Sequence, residues 1–281
     1  MLLPLALLVS AGCFPQGGGL SEIDSHETEM TTKPDKATLE ALREDFDLGS
    51  CRNLRGDVVV ILFYPDDAES RWTADEIQRF TENEVMPGLR FLEKEAARYG
   101  VSLRFRIEAV YSSLTYRGDL INDVRSEGYA TADVLKQMAK ALHYSSDADM
   151  LYVFRNAYQT QEVVCLTVFN KDGTAYAINP KRQSETKAAE HCILFARDRN
   201  IAVNGAKGTQ ASVVAHEILH LYGAEDLYAT EARKALAKEF CANDIMLSTK
   251  YQISRNDIGA VTAFYVGWTD DVPSLLYRED F

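Results

Sequence analysis

The chain predicts a mixed α/β (α+β) domain, a twisted mixed β-sheet with helices packed on it. Three observations carry this. DVVVILFYP (57–65) is a continuous β-branched and aromatic run, as in a strand covered on both faces. VSLRFRIEAVY (101–111) alternates, with Leu103, Phe105, Ile107 and Ala109 on one face and Arg104, Arg106 and Glu108 on the other. Segments with helical signals separate and follow the strand-like runs.

The elements follow in order. Thr73 and Glu76 form the pattern of a capping box that opens a helix through about Tyr99, with Pro87 expected to kink or divide it. A further helix is expected around Thr131–His143, with His143 a surface or cap residue. Strands are expected at DMLYVFRN (149–156), EVVCLTVFN (162–170), GTAYAIN (173–179) and HCILFARD (191–198), with Lys171-Asp172-Gly173 a hairpin turn signal. Thr209 or Ser212 can cap a helix whose buried stripe is Val213, Val214, Ile218 and Leu221.

The 281 residues, 46% of them hydrophobic, suffice for one large domain with its own core. Thirty Lys and Arg against 42 Asp and Glu give a net charge of −12. That balance argues against nucleic-acid binding and supplies no polybasic patch for anionic lipid. The apolar run Leu2–Val9 is too short to span a bilayer and suits an export signal. It ends in Ser10-Ala11-Gly12-Cys13, which resembles a bacterial lipoprotein signal. The resemblance implies a lipidated Cys13, with the exported protein held at the cell envelope by that anchor alone. Residues 14–36 read as a polar, Gly-rich tether that includes the solvated His26, and residues 37–281 as a single folded domain, expected to be a monomer. Cys51, Cys165, Cys192 and Cys241 remain; an even number in an exported chain suggests disulfides, and four buried thiols are the alternative.

Chemistry concentrates in VVAHEILHLYGAEDLY (213–228). On a helix, His216 and His220 are one turn apart and point the same way, so both can bind one metal ion. Glu217 is rotated too far to ligate beside them and can instead act as a base on a water. Gly223 can take positive φ and turn the chain back, and the Asp226 carboxylate can then complete the coordination. CANDIMLS (241–248) places Met246 twenty residues beyond Asp226.

Together, His216, Glu217, His220, Gly223, Asp226 and Met246 resemble the metzincin metalloproteases. The match is to the H-E-x-x-H-x-x-G-x-x-D variant of snapalysin-like bacterial enzymes, with Met246 as the methionine of the Met-turn beneath the metal. The resemblance covers roughly residues 205–268 and implies a zinc endopeptidase: an active-site helix, a Met-turn, then a C-terminal helix starting near Ser254 with Asp257 as its box partner. It implies that His216, His220 and Asp226 hold one zinc ion, which activates a water, and that Glu217 is the general base acting on a protein or peptide substrate. Tyr228 and Tyr251 are candidates for oxyanion support. The family binds substrate along an edge strand, for which HCILFARD or GTAYAIN is expected. An Asp ligand lowers the Lewis acidity of the zinc, which a donor to its other oxygen would offset.

Other readings stay open. In gluzincin-like enzymes a glutamate from a later helix is the third ligand, and TEARKALAKEF (230–240) offers Glu231 and Glu239. Cys51 could cover the metal as an inhibitory thiol. The alternative function is an exported metal-binding lipoprotein or an inactive protease-like binding module, for which Glu217 has no chemical use.

Overall fold

A computed structural model describes residue 51 and residues 53–118, 129–178, 190–198, 211–278 and 281, without the side chains of 129–132, 198 and 277. The signal segment, the tether, the start of the folded domain near residue 37 and Thr209 lie outside the described residues. No helix among those described is long and apolar enough to cross a membrane.

Five strands form one sheet in the order β2-β1-β3-β5-β4. They are β1 (Gly56–Asp66), β2 (Leu103–Thr115), β3 (Val163–Gly173), β4 (Tyr176–Ile178) and β5 (His191–Asp198). The first four positions in that order run parallel, and β4 closes the far edge antiparallel to β5. This is a mixed α/β architecture.

Seven α-helices are described: α1 (Ala74–Phe80), α2 (Met86–Arg98), α3 (Tyr129–Ala141), α4 (Asp147–Tyr158), α5 (Ala211–Leu221), α6 (Glu231–Phe240) and α7 (Ala260–Tyr265). Central β1 explains its unbroken apolar run. Val58, Val60, Leu62 and Tyr64 join the core on one face, with Leu89 and Leu92 of α2 and Val214 and Ile218 of α5. Val59, Ile61 and Phe63 join the second core on the other face, with Leu135 and Met138 of α3 and Phe154 of α4. A strand buried on both sides has no polar positions to alternate.

The capping box at Thr73 forms, with Glu76 as its partner. The helix that follows is interrupted just ahead of Pro87, which lies in the first turn of α2. A π-helical turn, Thr81–Val85, joins α1 to α2 just ahead of it. The wider turn spares the helix the missing Pro87 N–H and the clash of its ring with the preceding turn.

Five expectations need correction. Residues 149–156 are helical, not a strand. Ser146 caps α4 by accepting the Asp149 N–H, and Met150, Leu151 and Phe154 are buried at helical spacing while Tyr152 and Val153 stand exposed. No hairpin forms at 171–173, because Asp172 and Gly173 continue β3 alongside Arg197 and Asp198 of β5. Ala109 does not share a face with Ile107: a register irregularity at Glu108 sends Ala109 to the opposite core from Phe105 and Ile107. Ser212 is not a cap; it lies inside α5, fully buried. The C-terminal helix starts at Ala260 rather than Ser254, because the Asp257 backbone is paired with Asn243 and Ile245.

No disulfide joins Cys51, Cys165, Cys192 and Cys241. The expectation of disulfides gives way to the alternative of thiols, three of them buried and Cys241 partly so.

Candidate metal centre

Helix α5 carries the site and is buried almost all round, from Ser212 through Leu219 and again at Leu221. It packs on α2 at Gly88, where a Cβ would stand 2.8 Å from the Ala211 carbonyl oxygen and 3.2 Å from the Val214 Cβ. Only glycine allows that approach, so the helix is held at close range. From α5, the His216 and His220 rings meet edge to face, their centroids 4.7 Å apart.

The chain beyond the helix turns sharply. Gly223 takes φ +92°, a conformation L side chains rarely adopt. Its N–H donates to His220 O (3.1 Å) and the Ala224 N–H to Leu219 O (3.1 Å), closing the last turn. This reversal brings Asp226 back to the histidines, as the spacing of the sequence motif anticipates.

Three ligand-type atoms then converge. His216 Nε2 and His220 Nε2 are 3.1 Å apart, and Asp226 Oδ1 is 3.3 Å from each. Zinc bonds of about 2.0–2.1 Å in a tetrahedron require ligand atoms about 3.3 Å apart, so the triangle has the right edge lengths. The opposite ring nitrogens are spoken for. His216 Nδ1 lies 3.1 Å from the Ile245 carbonyl oxygen, and His220 Nδ1 lies 2.7 Å from that of Ala224. Each Nδ1 therefore carries the proton and leaves an Nε2 lone pair facing the shared point. Asp226 Oδ1 is buried there and receives no hydrogen bond. The donor set fits a metal ion, and among the described residues these three form the one His/Cys/Asp/Glu group of that kind.

Electrostatics agree. Burial opposes the charge on His216, but Asp226, Glu217 and the Ile245 carbonyl outweigh it and push the imidazole up to about 9. Burial likewise opposes the Asp226 carboxylate, and the two imidazoles hold it well below the usual carboxylate range. A proton fills the space that suits a cation.

Glu217 is buried one position round the helix, and its charge acts on His216, Tyr228 and Tyr176. Tyr176 belongs to β4, so the antiparallel edge strand lies beside the site. Of the two segments considered for an edge, GTAYAIN contains it, whereas HCILFARD is an interior strand. Tyr228 stands close to Asp226; burial and the Asp226 charge raise the pKa of its hydroxyl. Tyr251 is 58% exposed, and no described contact brings it to the site.

Met246 is fully buried, and its carbonyl accepts the Leu227 N–H at 3.0 Å, next to Asp226. Glu231 stands in solvent beside Lys234, Glu239 is exposed, and Glu225 pairs with Arg233 at 2.9 Å. None of the three joins the metal-type group. Cys51 is buried away from that group, its thiol on the Val163 carbonyl and its amide on Glu190. The backbone carbonyls of Ala224 and Ile245 and the side chain of Asp244 were not foreseen; only the turn-forming Asn243-Asp244 pair hinted at the last.

No known family profile matches the chain, and no curated protein matches it. Among solved structures it is similar to metalloproteinase-II from Bacteroides fragilis, at 13% identity and a TM-score of 0.39. The match covers 76% of this chain and 53% of that one, so the chain spans about half the length of that protein. At such similarity the weight falls on the site's own geometry.

Proposed function

We propose that the chain is a zinc-dependent endopeptidase of metzincin type, with His216, His220 and Asp226 as ligands and Glu217 as general base. The observation that supports this best is the triangle of Nε2, Nε2 and Oδ1 atoms at 3.1–3.3 Å, with both Nδ1 protons committed to backbone carbonyls. Two imidazoles and a carboxylate favour zinc over harder cations, and three protein ligands leave a position open, as catalytic zinc sites do. Zinc there would polarise a peptide carbonyl and lower the pKa of a water.

The chain's own residues do the rest. Glu217 accepts a proton from the attacking water and delivers it to the leaving amine nitrogen. Tyr228 stands close enough for the Asp226 charge to act on its hydroxyl and would restrain that carboxylate, a role nearer to orientation than to oxyanion support. The β4 edge offers backbone groups to an extended peptide by strand addition. Met246 and the turn around it form the floor. The protein is exported, and Cys13 carries its lipid anchor.

The test is hydrolysis of casein and of a peptide library by residues 37–281, beside Glu217→Ala and with a chelator. Wild type should cut, the chelator should abolish cutting, and Glu217→Ala should bind zinc yet be inactive. A wild type that binds zinc and cuts no peptide would overturn the reading in favour of a binding protein.

A further inference from the structure

We propose that Asp244 is a positioning residue for the metal centre: its carboxylate pins a turn whose consecutive carbonyls, of Ile245 and Met246, hold His216 and the Asp226 loop. The inference rests on the metal-centre reading above and assigns a role to a side chain that touches none of the three ligands.

Asp244 is fully buried, and both its oxygens are used. Oδ1 accepts the Met246 N–H at 2.7 Å. Oδ2 accepts the Gly259 N–H and the Thr262 hydroxyl, each at 2.8 Å. Three donors converge, so the site needs a group that only accepts. An amide would turn its NH2 toward one of those donors and leave a buried polar group unsatisfied. The approach is close enough that a Cβ on Gly259 would lie 2.9 Å from Oδ2.

The segment Asp244 grips is itself fixed. On α2, Glu95 accepts the Ile258 N–H at 3.1 Å, and the Tyr99 hydroxyl donates to the Ile258 carbonyl at 2.7 Å. The Ile245 N–H donates to Asp257 O at 3.0 Å. Helix α2 also abuts α5 at Gly88. One helix therefore abuts the helix that carries the histidines and, through Ile258, Gly259 and Asp244, braces the carbonyl that faces His216. Of the two consecutive carbonyls, that of Ile245 faces His216 Nδ1, and that of Met246 accepts from Leu227. Releasing Asp244 frees both.

The experiment compares wild type, Asp244→Asn and Thr262→Val in the folded chain. Zinc affinity is read by competition with a chromophoric chelator. The tautomer of His216 in the metal-free protein is read by nitrogen-15 NMR at a pH high enough to leave the ring neutral. Asp244→Asn should bind zinc about 10- to 100-fold more weakly, and its His216 should populate both tautomers while His220 keeps one. Thr262→Val removes one donor and should weaken zinc binding several-fold; it decides the matter if Asp244→Asn does not fold. A purely structural role would lower the unfolding midpoint and move neither readout. Unchanged zinc affinity with a single His216 tautomer overturns the proposal. If wild type binds no zinc, the metal reading falls, and the His216 tautomer alone upholds or overturns the role of Asp244.

Discussion

The Nε2 atoms of His216 and His220 face each other across 3.1 Å, while the far nitrogen of each ring faces a backbone carbonyl. Two lone pairs and a carboxylate oxygen at that spacing repel unless a cation lies among them. In the metal-free chain a proton serves, and His216 is pushed up to about 9. Its stabilising charge is fully present below the ordinary value of 6.5 and is lost as pH rises through about 9. Zinc binding should therefore release about one proton near neutral pH and weaken as pH falls. Calorimetry in buffers of different ionisation enthalpy measures that proton, with one zinc per chain expected.

Tyr228→Phe removes the hydroxyl that meets Asp226. Zinc affinity should fall by about tenfold, the lower end for a partner of a ligand. Because Tyr228 is 45% exposed, urea unfolding of the metal-free chain should shift by less than about 1 kcal/mol.

Gly223→Ala forces a Cβ into φ +92°. A destabilisation of about 1–2 kcal/mol is expected from the backbone alone. Zinc affinity should drop with it, because the carbonyl of the next residue, Ala224, orients His220. Denaturant unfolding and chelator competition measure the two effects.

Glu84 projects from the π turn, and its carboxylate accepts the Ala211 N–H at the start of α5. Burial pushes it up to about 7 despite that bond. The folded chain then holds a proton that the unfolded chain has lost between pH 4.5 and 7, so this group makes stability fall as pH rises across that window. Glu84→Gln keeps an acceptor for Ala211 but cannot ionise. Its stability relative to wild type should be higher at pH 8 than at pH 5, as read from urea midpoints at each pH.

The thiols give a count. Cys165 is fully buried and its thiol is pushed up to about 12; Cys241 is raised to about 12 by burial, with Asp244 and Asp257 adding to it. In folded residues 37–281 a thiol reagent should find Cys241 slow and the others protected. In denaturant without reductant, four thiols should react. A count of two would reinstate a disulfide.

Much of the site was legible because its geometry is local. His216, Glu217 and His220 sit on one helix, where spacing dictates direction, and Gly223 announces the turn that returns Asp226. The central strands were legible for a similar reason: residues 57–65 and 162–170 are apolar on both faces. Misreadings occurred where tertiary context overrode pattern. DMLYVFRN has the aromatic and β-branched content of a strand, yet Ser146 caps it as a helix. Lys171-Asp172-Gly173 has turn chemistry, but Gly173 is needed where the strand crosses the Phe195 ring, a contact made 22 residues later in the chain. Asp244 was hidden because its three donors come from Met246, Gly259 and Thr262, which no periodicity links.

The π turn at Thr81–Val85 makes the length of its helix a fixed quantity. Inward residues along it run Ile77, Phe80, Val85, Leu89, Leu92, and the step of five falls at the π turn where an unbroken α-helix would use three or four. One residue has in effect been inserted, setting the rotational phase of everything downstream. Deleting a single residue there would restore a regular helix and rotate α2 by about 100° against its neighbours. Gly88 would leave the Ala211 carbonyl, a residue with a Cβ would take its place, and Glu95 and Tyr99 would swing off Ile258. A one-residue change in a helix that bears no ligand would thus be read at the histidines as a change of angle.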